Sequence, residues 1–471
     1  MNESKVSRRK ALKALGLVAG SGAVVAALAG CGETQVVEVV KEVAVVQEKI
    51  VTVTVPEQTP QRDNVTIVMQ SWWAPTIGLP FQAWDEHIRT FSNTSPWVTL
   101  EVEYVPWGDM IKKYLAGVAA GDVPDVFHSS IAFARDLWDQ GTLEELSEFI
   151  KTTPDMAEST FMPATTPYRN SQGKWFAIPW EGFDGRALYY NVAHFEEAGL
   201  DPAFESTSQW DWDMLLEASQ QLTQRDGDKV TRSGFLIIRP HMEYFCSWLY
   251  CQDAEFYAPG ETKVAFNQND AAMKMVDWHL AALNDHNISI PIVAERPDVN
   301  LFQQGQASIA QNGHWAISKM RTDVPGLKFD LMGIPKGPGG SKMRTVAFTN
   351  LHALPTKARH KDDAWDFIAW QAGLEQQIKK LQLMDFPSPR LDFYETNEWK
   401  IQTQRVPQLK NLPTMLEDGG AWPYVRFSEV NNTYTPIMEG MMIGQREVGA
   451  GVADMETGIN EILGKAAEMM G

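Results

Sequence analysis

From Val65 onward, apolar positions recur with a period of two in some segments and near 3.6 in others. Val65-Thr66-Ile67-Val68-Met69 is a β-branched run that predicts a buried strand. An amphipathic pattern from Leu79 to Phe91 predicts a helix. Val98 to Val105 then alternates strictly, as a half-buried strand does. The spacing next predicts a helix over Trp107 to Ala120, stopped by Gly121-Asp122 and Pro124. A short strand at Asp125 to His128 and a helix through Leu137 follow. The pattern resumes after Ile178, with long helices at Asp211–Gln224 and Asp270–Leu283, and a mostly helical tail begins near Asn411. No internal repeat is visible.

Strands alternating with helices predict a parallel sheet covered on both faces. Ligands of such sheets bind beyond the carboxyl ends of the strands. Those positions here are Ser71-Trp72-Trp73 and Ser129-Ser130.

At 471 residues the chain is too long for one core, because single cores stop growing at about 250–300 residues. Two or three domains or lobes are expected, and a 44% hydrophobic content supplies ample core. The formal net charge is −19. An acidic body argues against nucleic acid and other polyanionic partners, which need basic stripes.

The first residues carry an address. Ser7 to Lys13 is basic and holds the pair Arg8-Arg9, and an uncharged stretch from Ala14 ends in Leu28-Ala29-Gly30-Cys31. A basic flank, a short apolar segment and small residues before a cleavage point describe an export signal over residues 1–30. The ending resembles a bacterial lipobox, which implies lipidation of Cys31. The arginine pair resembles a twin-arginine signal, although Ala11 stands where that signal usually has Phe, so the general secretory route is open too. An uncleaved anchor helix is the alternative; its stretch would only reach the lower limit for a bilayer, about 17 residues. Removing the leader, with five cations and one anion, takes the remainder to −23. Residues 31–62, rich in Val, Glu and Lys and closed by Pro56 and Pro60, read as a stalk. Cys246 and Cys251 lie five apart in a predicted helix, on different faces, and read as free buried thiols. No Cys/His spacing suggests a metal, and no cofactor is expected.

A family resemblance rests on Gly173-Lys174-Trp175-Phe176-Ala177-Ile178-Pro179-Trp180, Ala187-Leu188-Tyr189-Tyr190-Asn191 and Phe195-Glu196-Glu197-Ala198-Gly199-Leu200, followed by Trp210-Asp211. Tyr104 to Gly108, Gly121 to Val126, Asn312-Gly313-His314-Trp315 and Ala364 to Ile368 agree in order and spacing. Together they resemble the extracellular solute-binding proteins of carbohydrate ABC importers, the class that contains maltose-binding protein. The resemblance implies a periplasmic-binding-protein-like α/β fold, with two α/β lobes joined by crossing hinge segments and a central ligand cleft. It implies a first lobe at 64–180 plus 345–385 and a second at 181–343 plus 386–471. Crossings are expected near Trp180–Phe183, Pro335–Arg344 and Asp385–Pro389. It implies, further, an extracytoplasmic, membrane-tethered monomer that hands its solute to the transmembrane subunits of an ABC permease driven by a cytoplasmic ATPase.

A sugar shows apolar C–H faces ringed by hydroxyls, so its site needs aromatic planes and directional polar groups. Seventeen Trp residues exceed what a core of this size requires. Trp72, Trp73, Trp180, Trp248 and Trp315 are the stacking candidates, and Trp315 matches the family's Gly-Pro-Trp, with His314 in the proline position. Glu181, Glu243 and Tyr244 are candidates for hydroxyl contacts, since hydrogen bonds to an ionised partner are about twice as strong. Ser129, His314 and Asn350 complete the set, while Asp125 reads as positioning a strand. Packing between lobes, core filling or a solvated surface are the structural alternatives for each.

Three other readings compete. A glycoside hydrolase would need two carboxylates about 5–9.5 Å apart across a bond, and nothing in the sequence sets Glu181 and Glu243 so. The same fold could take a peptide, a polyamine or a phosphorylated polyol; an anionic cargo would call on Arg186, Arg390 or Arg426. A purely structural surface lipoprotein would have no need of a hinged cleft. Phosphate loops and esterase or zinc-protease motifs are absent.

Overall fold

In the computed structural model the residues described are 62–162, 173–182, 184–238, 241–290, 298–416 and 419–470. The expected leader, Cys31 and all but the last residue of the stalk lie outside them.

The chain first lays down β1 (Val65–Ser71), β2 (Val98–Tyr104), β3 (Val126–Ser130) and β4 (Ile178–Pro179). It continues through β5 (Asp184–Asn191), β6 (Gln224–Asp226), β7 (Lys229–Phe235), β8 (Ala307–Gly313), β9 (Phe329–Met332) and β10 (Val346–Phe348). Last come β11 (Asn350–Ala353) and β12 (Gly420–Ala421). Two sheets result. The first has the order β2-β1-β3-β11-β4, with β1, β2 and β3 parallel and β11 antiparallel to both β3 and β4. The second runs β12-β10-β5-β8-β7-β6, and β9 also pairs with β5.

The apolar periodicity explains the layers. Helix Leu79–Ile88 buries Pro80, Phe81, Trp84 and Ile88, one face at helical spacing, so the sheet beneath it is covered. Helix Met110–Ala120 begins one turn later than expected, because Trp107–Asp109 forms a separate 3-10 turn. Asp211 caps helix Trp212–Leu222 by accepting from the Met214 N–H at 2.9 Å. Asp125 acts as a strand-positioning residue: its carboxylate accepts from the Val68, Arg359 and His360 N–H groups at 2.9–3.1 Å. Cys246 and Cys251 are free and buried, and burial pushes the Cys251 thiol up to about 12.

Three passages join the sheets. Between β4 and β5 the Trp180 N–H donates to the Asn350 carbonyl at 3.0 Å, and the Gly182 N–H to the Pro387 carbonyl at 2.9 Å. The second passage falls at Thr349, between β10 in one sheet and β11 in the other. That differs from the expected Pro335–Arg344 segment and leaves residues 345–348 with the second sheet. The glycines of that segment serve packing instead: a methyl on Gly340 would lie 2.0 Å from the Cys251 carbonyl oxygen. The third passage runs through Phe386–Pro389 after helix Leu374–Met384.

At Gly182 the backbones of two passages touch, and a β-carbon there would stand 2.3 Å from the Pro387 carbonyl. Gly182→Ala is therefore expected to cost about 2 kcal/mol or more in urea unfolding. Gly108→Ala, with nothing within 4 Å of the added methyl, should cost less than about 0.5 kcal/mol. Equal losses would remove the crossing from the explanation.

Candidate functional site

The carboxyl ends of β1, β2 and β3 deliver Trp72, Trp107 and, on helix Ile131–Asp139, Phe133. Trp72 meets Trp107 edge-on at 4.7 Å, and Trp107 meets Phe133 at the same separation. From the other sheet come Phe348 on β10, Trp422 just after β12, and Phe427 opening helix Phe427–Met442. Trp422 lies 4.3 Å from Phe348 and 5.3 Å from Phe427. The two groups face each other: Trp107 and Trp422 are nearly parallel at 6.4 Å, and Phe133 and Phe427 stand 5.7 Å apart. One aromatic line thus runs from sheet to sheet.

Polar groups flank it. The Arg186 guanidinium lies 5.4 Å from the Phe348 ring and 5.5 Å from the Tyr244 ring, and it pairs with the Glu243 carboxylate at 3.3 Å. Trp422 Nε1 and Ser130 Oγ are buried without a hydrogen-bond partner among the described residues. Such groups are costly unless something pairs with them, about 1–3 kcal/mol each.

A second cluster sits at the crossings. The Glu181 carboxylate, 1% exposed, accepts from the Asn350 side-chain amide and approaches His314 Nε2 at 3.2 Å. Lys380, fully buried on helix Leu374–Met384, donates to the Trp180 carbonyl and to Gln377 Oε1. Burial pushes the Lys380 amine down to about 7, with Glu181 acting against that shift. The Trp180 ring lies against Trp73, Trp84, His128 and His352, and Lys380 Nζ is 5.0 Å from its centre. Burial holds His128 well below the usual imidazole range, and His352 at about 3, so both rings are neutral.

Trp72, half-buried and stacked on His128 at 4.2 Å, joins the aromatic line, and Glu243 and Tyr244 flank its far end. Trp73 and Trp180 are turned into the first lobe's core, and Glu181, His314 and Asn350 belong to the crossing cluster. Ser129 is fully buried in β3. Trp315 opens helix Trp315–Asp323 and is half-buried against the core. Trp248 lies wholly inside the second lobe, with Trp212, Phe235 and Trp278 around it and its Nε1 donating to Gln311 at 2.9 Å.

Trp107, Phe133, Phe348, Trp422 and Phe427 escaped the sequence reading. Trp107 was within reach, since it follows β2 as Trp72 follows β1. Trp422 follows a two-residue strand that has no sequence period.

The profile of the family described as bacterial extracellular solute-binding protein matches residues 74–378, so the chain belongs to that family and is a binding protein, not an enzyme. A protein of Brucella abortus (strain 2308) named as a binding protein is 23% identical over 398 residues, which cover 81% of this chain and 90% of that one. Among solved structures, the GacH receptor of Streptomyces glaucescens, determined unliganded and with acarbose, is 17% identical with a TM-score of 0.72, covering 84% of this chain and 98% of its own. An ABC transporter solute-binding protein of Thermotoga lettingae bound with tagatose is 19% identical with a TM-score of 0.71, covering 86% and 100%. These likenesses establish the two-lobed fold.

The crossing cluster makes a pH prediction. Between pH 7 and the ordinary lysine range the unfolded chain holds a proton at Lys380 that the folded chain has released. Stability should therefore rise with pH there. Urea midpoints at pH 7 and pH 9 should show a rise in the native protein that Lys380→Met lacks; identical slopes would refute the buried-amine account.

Proposed function

We propose that this chain is an extracytoplasmic, lipid-anchored receptor that captures a neutral sugar or short oligosaccharide between its lobes and delivers it to an ABC permease. The observation that carries this reading is the aromatic line spanning the two sheets, with the Trp422 indole N–H and the Ser130 hydroxyl beside it. Indole faces suit sugar C–H faces, and buried polar groups seek hydroxyls. Contacts from both lobes would favour the closed form once solute is present. The solved relatives bound to acarbose and tagatose support a saccharide, as does a further structure of similar fold with mannobiose. In this reading the lobes are residues 64–180 with 350–385, and 181–349 with 386–470.

An anionic solute is the second reading, with Arg186 as its partner. The 3.3 Å pairing of Arg186 with Glu243 argues for a neutral one. Handover to the permease, a monomeric state and anchoring through lipidated Cys31 are parts of the same proposal. Among the described residues no helix is long and apolar enough to cross a membrane.

A thermal-shift panel of tagatose, mannobiose and maltose tests the capture step. A bound sugar at 100-fold its Kd should add about 2.7 kcal/mol of stability. Trp107→Ala and Trp422→Ala should each weaken that sugar by about 1–2 kcal/mol, whereas Trp248→Phe should lower stability and leave affinity within about twofold. Unchanged affinity in both alanine variants would reject the aromatic line as the site. For the anchor, growth with a labelled fatty acid should tag the native protein and not Cys31→Ser; an unlabelled native protein would exclude a lipid tether.

A further inference from the structure

Helix Ile131–Asp139 follows β3 of the first sheet, while helix Phe427–Met442 packs against helices Met242–Tyr250 and Ala271–Asn284 on the second. The two meet across the aromatic line through Phe133 and Phe427. One turn beyond Phe133, Asp136 Oδ1 accepts a 2.7 Å hydrogen bond from the Arg426 backbone N–H. Arg426 immediately precedes helix Phe427–Met442 with φ of 51°, a left-handed conformation that costs a non-glycine residue free energy. The Arg426 side chain makes no capping hydrogen bond of its own at this start. A carboxyl group from the opposite lobe meets it instead and supplies a hydrogen-bond acceptor. A bond of this kind holds only while the lobes are together.

We propose that Asp136 is a positioning residue for lobe closure: it holds the start of helix Phe427–Met442, and with it Trp422 and Phe427, against Trp107 and Phe133, and it couples closure to proton uptake. The inference rests on the two-lobed receptor reading above.

In the closed form burial raises the Asp136 carboxyl to about 7; the Arg426 N–H and guanidinium oppose the shift, and Asp139 and Glu429 add to it. The charged groups facing this site are Arg426 and Glu429 from helix Phe427–Met442, and Arg135 and Asp139 from its own helix, themselves paired at 3.2 Å. Tyr424, hydrogen-bonded to Glu261, completes the surroundings. With the lobes apart the carboxyl returns to water and titrates near its ordinary value of about 4. The closed form therefore holds a proton that the open form has lost between those limits. Closure gains from this below pH 4, and the gain disappears as pH rises through 7.

Two measurements on the purified protein decide the matter. Small-angle scattering without ligand should give a larger radius of gyration at pH 8 than at pH 5. For whichever of tagatose, mannobiose or maltose binds, Kd should rise about fivefold or more over the same interval. Asp136→Asn keeps the acceptor and removes the titration, so both differences should shrink to less than about twofold in Kd and to none in radius. Asp136→Ala, without the acceptor, should bind more weakly at both pH values. Glu429→Gln, which leaves Asp136 in place and removes only the smallest of the charges that raise it, should keep a pH dependence of the native sign, and this guards against a loss caused by misfolding. A native pH slope in Asp136→Asn, or no pH dependence in the native protein, overturns the proposal. If none of the three sugars binds, the sugar reading fails by itself, and the scattering still decides on Asp136.

Discussion

Two backbones pass each other at Gly182 and Pro387 with no room for a side chain between them, and the rest of the structure is arranged around that contact. The Gly182 N–H donates to Pro387, and two residues earlier the Trp180 N–H donates to Asn350 on the neighbouring passage. All three chain passages are thereby tied within a few residues. The tie must be made of backbone, because side chains there would push the passages apart and break the registration of one sheet with the other. It also leaves few dihedral angles free to change, which is what a hinge requires.

Around this tie the protein buries charge, and that is expensive unless each group finds partners. Glu181 finds partners in His314 and Asn350, and Lys380 finds them in the Trp180 carbonyl and Gln377. The depressed amine of Lys380 shows the cost of burial, since a lysine with a less favourable charged form is one that water has left. Fixed in this way, the Trp180 ring becomes a wall shared by His128 and His352, and His128 in turn supports Trp72 from behind. The crossing and the aromatic line are thus mechanically linked through one stacked pair.

Tryptophan fills three different offices here. Trp212, Trp248 and Trp278 pack against each other inside the second lobe. Trp73, Trp84 and Trp180 form the first lobe's counterpart beside the crossing. Only Trp72, Trp107 and Trp422 join the line between the sheets. The abundance of the residue signals a demand for large flat surfaces, yet the same ring serves a core as well as it serves a ligand.

The strand and helix pattern from Val65 to Leu137 and the family were legible from the chain itself, because period and motif order are local and one-dimensional. Trp72 was legible for the same reason: it ends a strand whose period is plain. Which partners a buried carboxylate would meet was not, since Glu181 and Glu243 look alike in sequence and differ in what the fold brings to them, His314 and Asn350 in one case and Arg186 in the other. The passage at Thr349 and the meeting of Trp107 with Trp422 were equally hidden. Local order determines what each segment becomes. Only the folded chain decides which distant segments share a few ångströms, because that depends on how two sheets settle against each other.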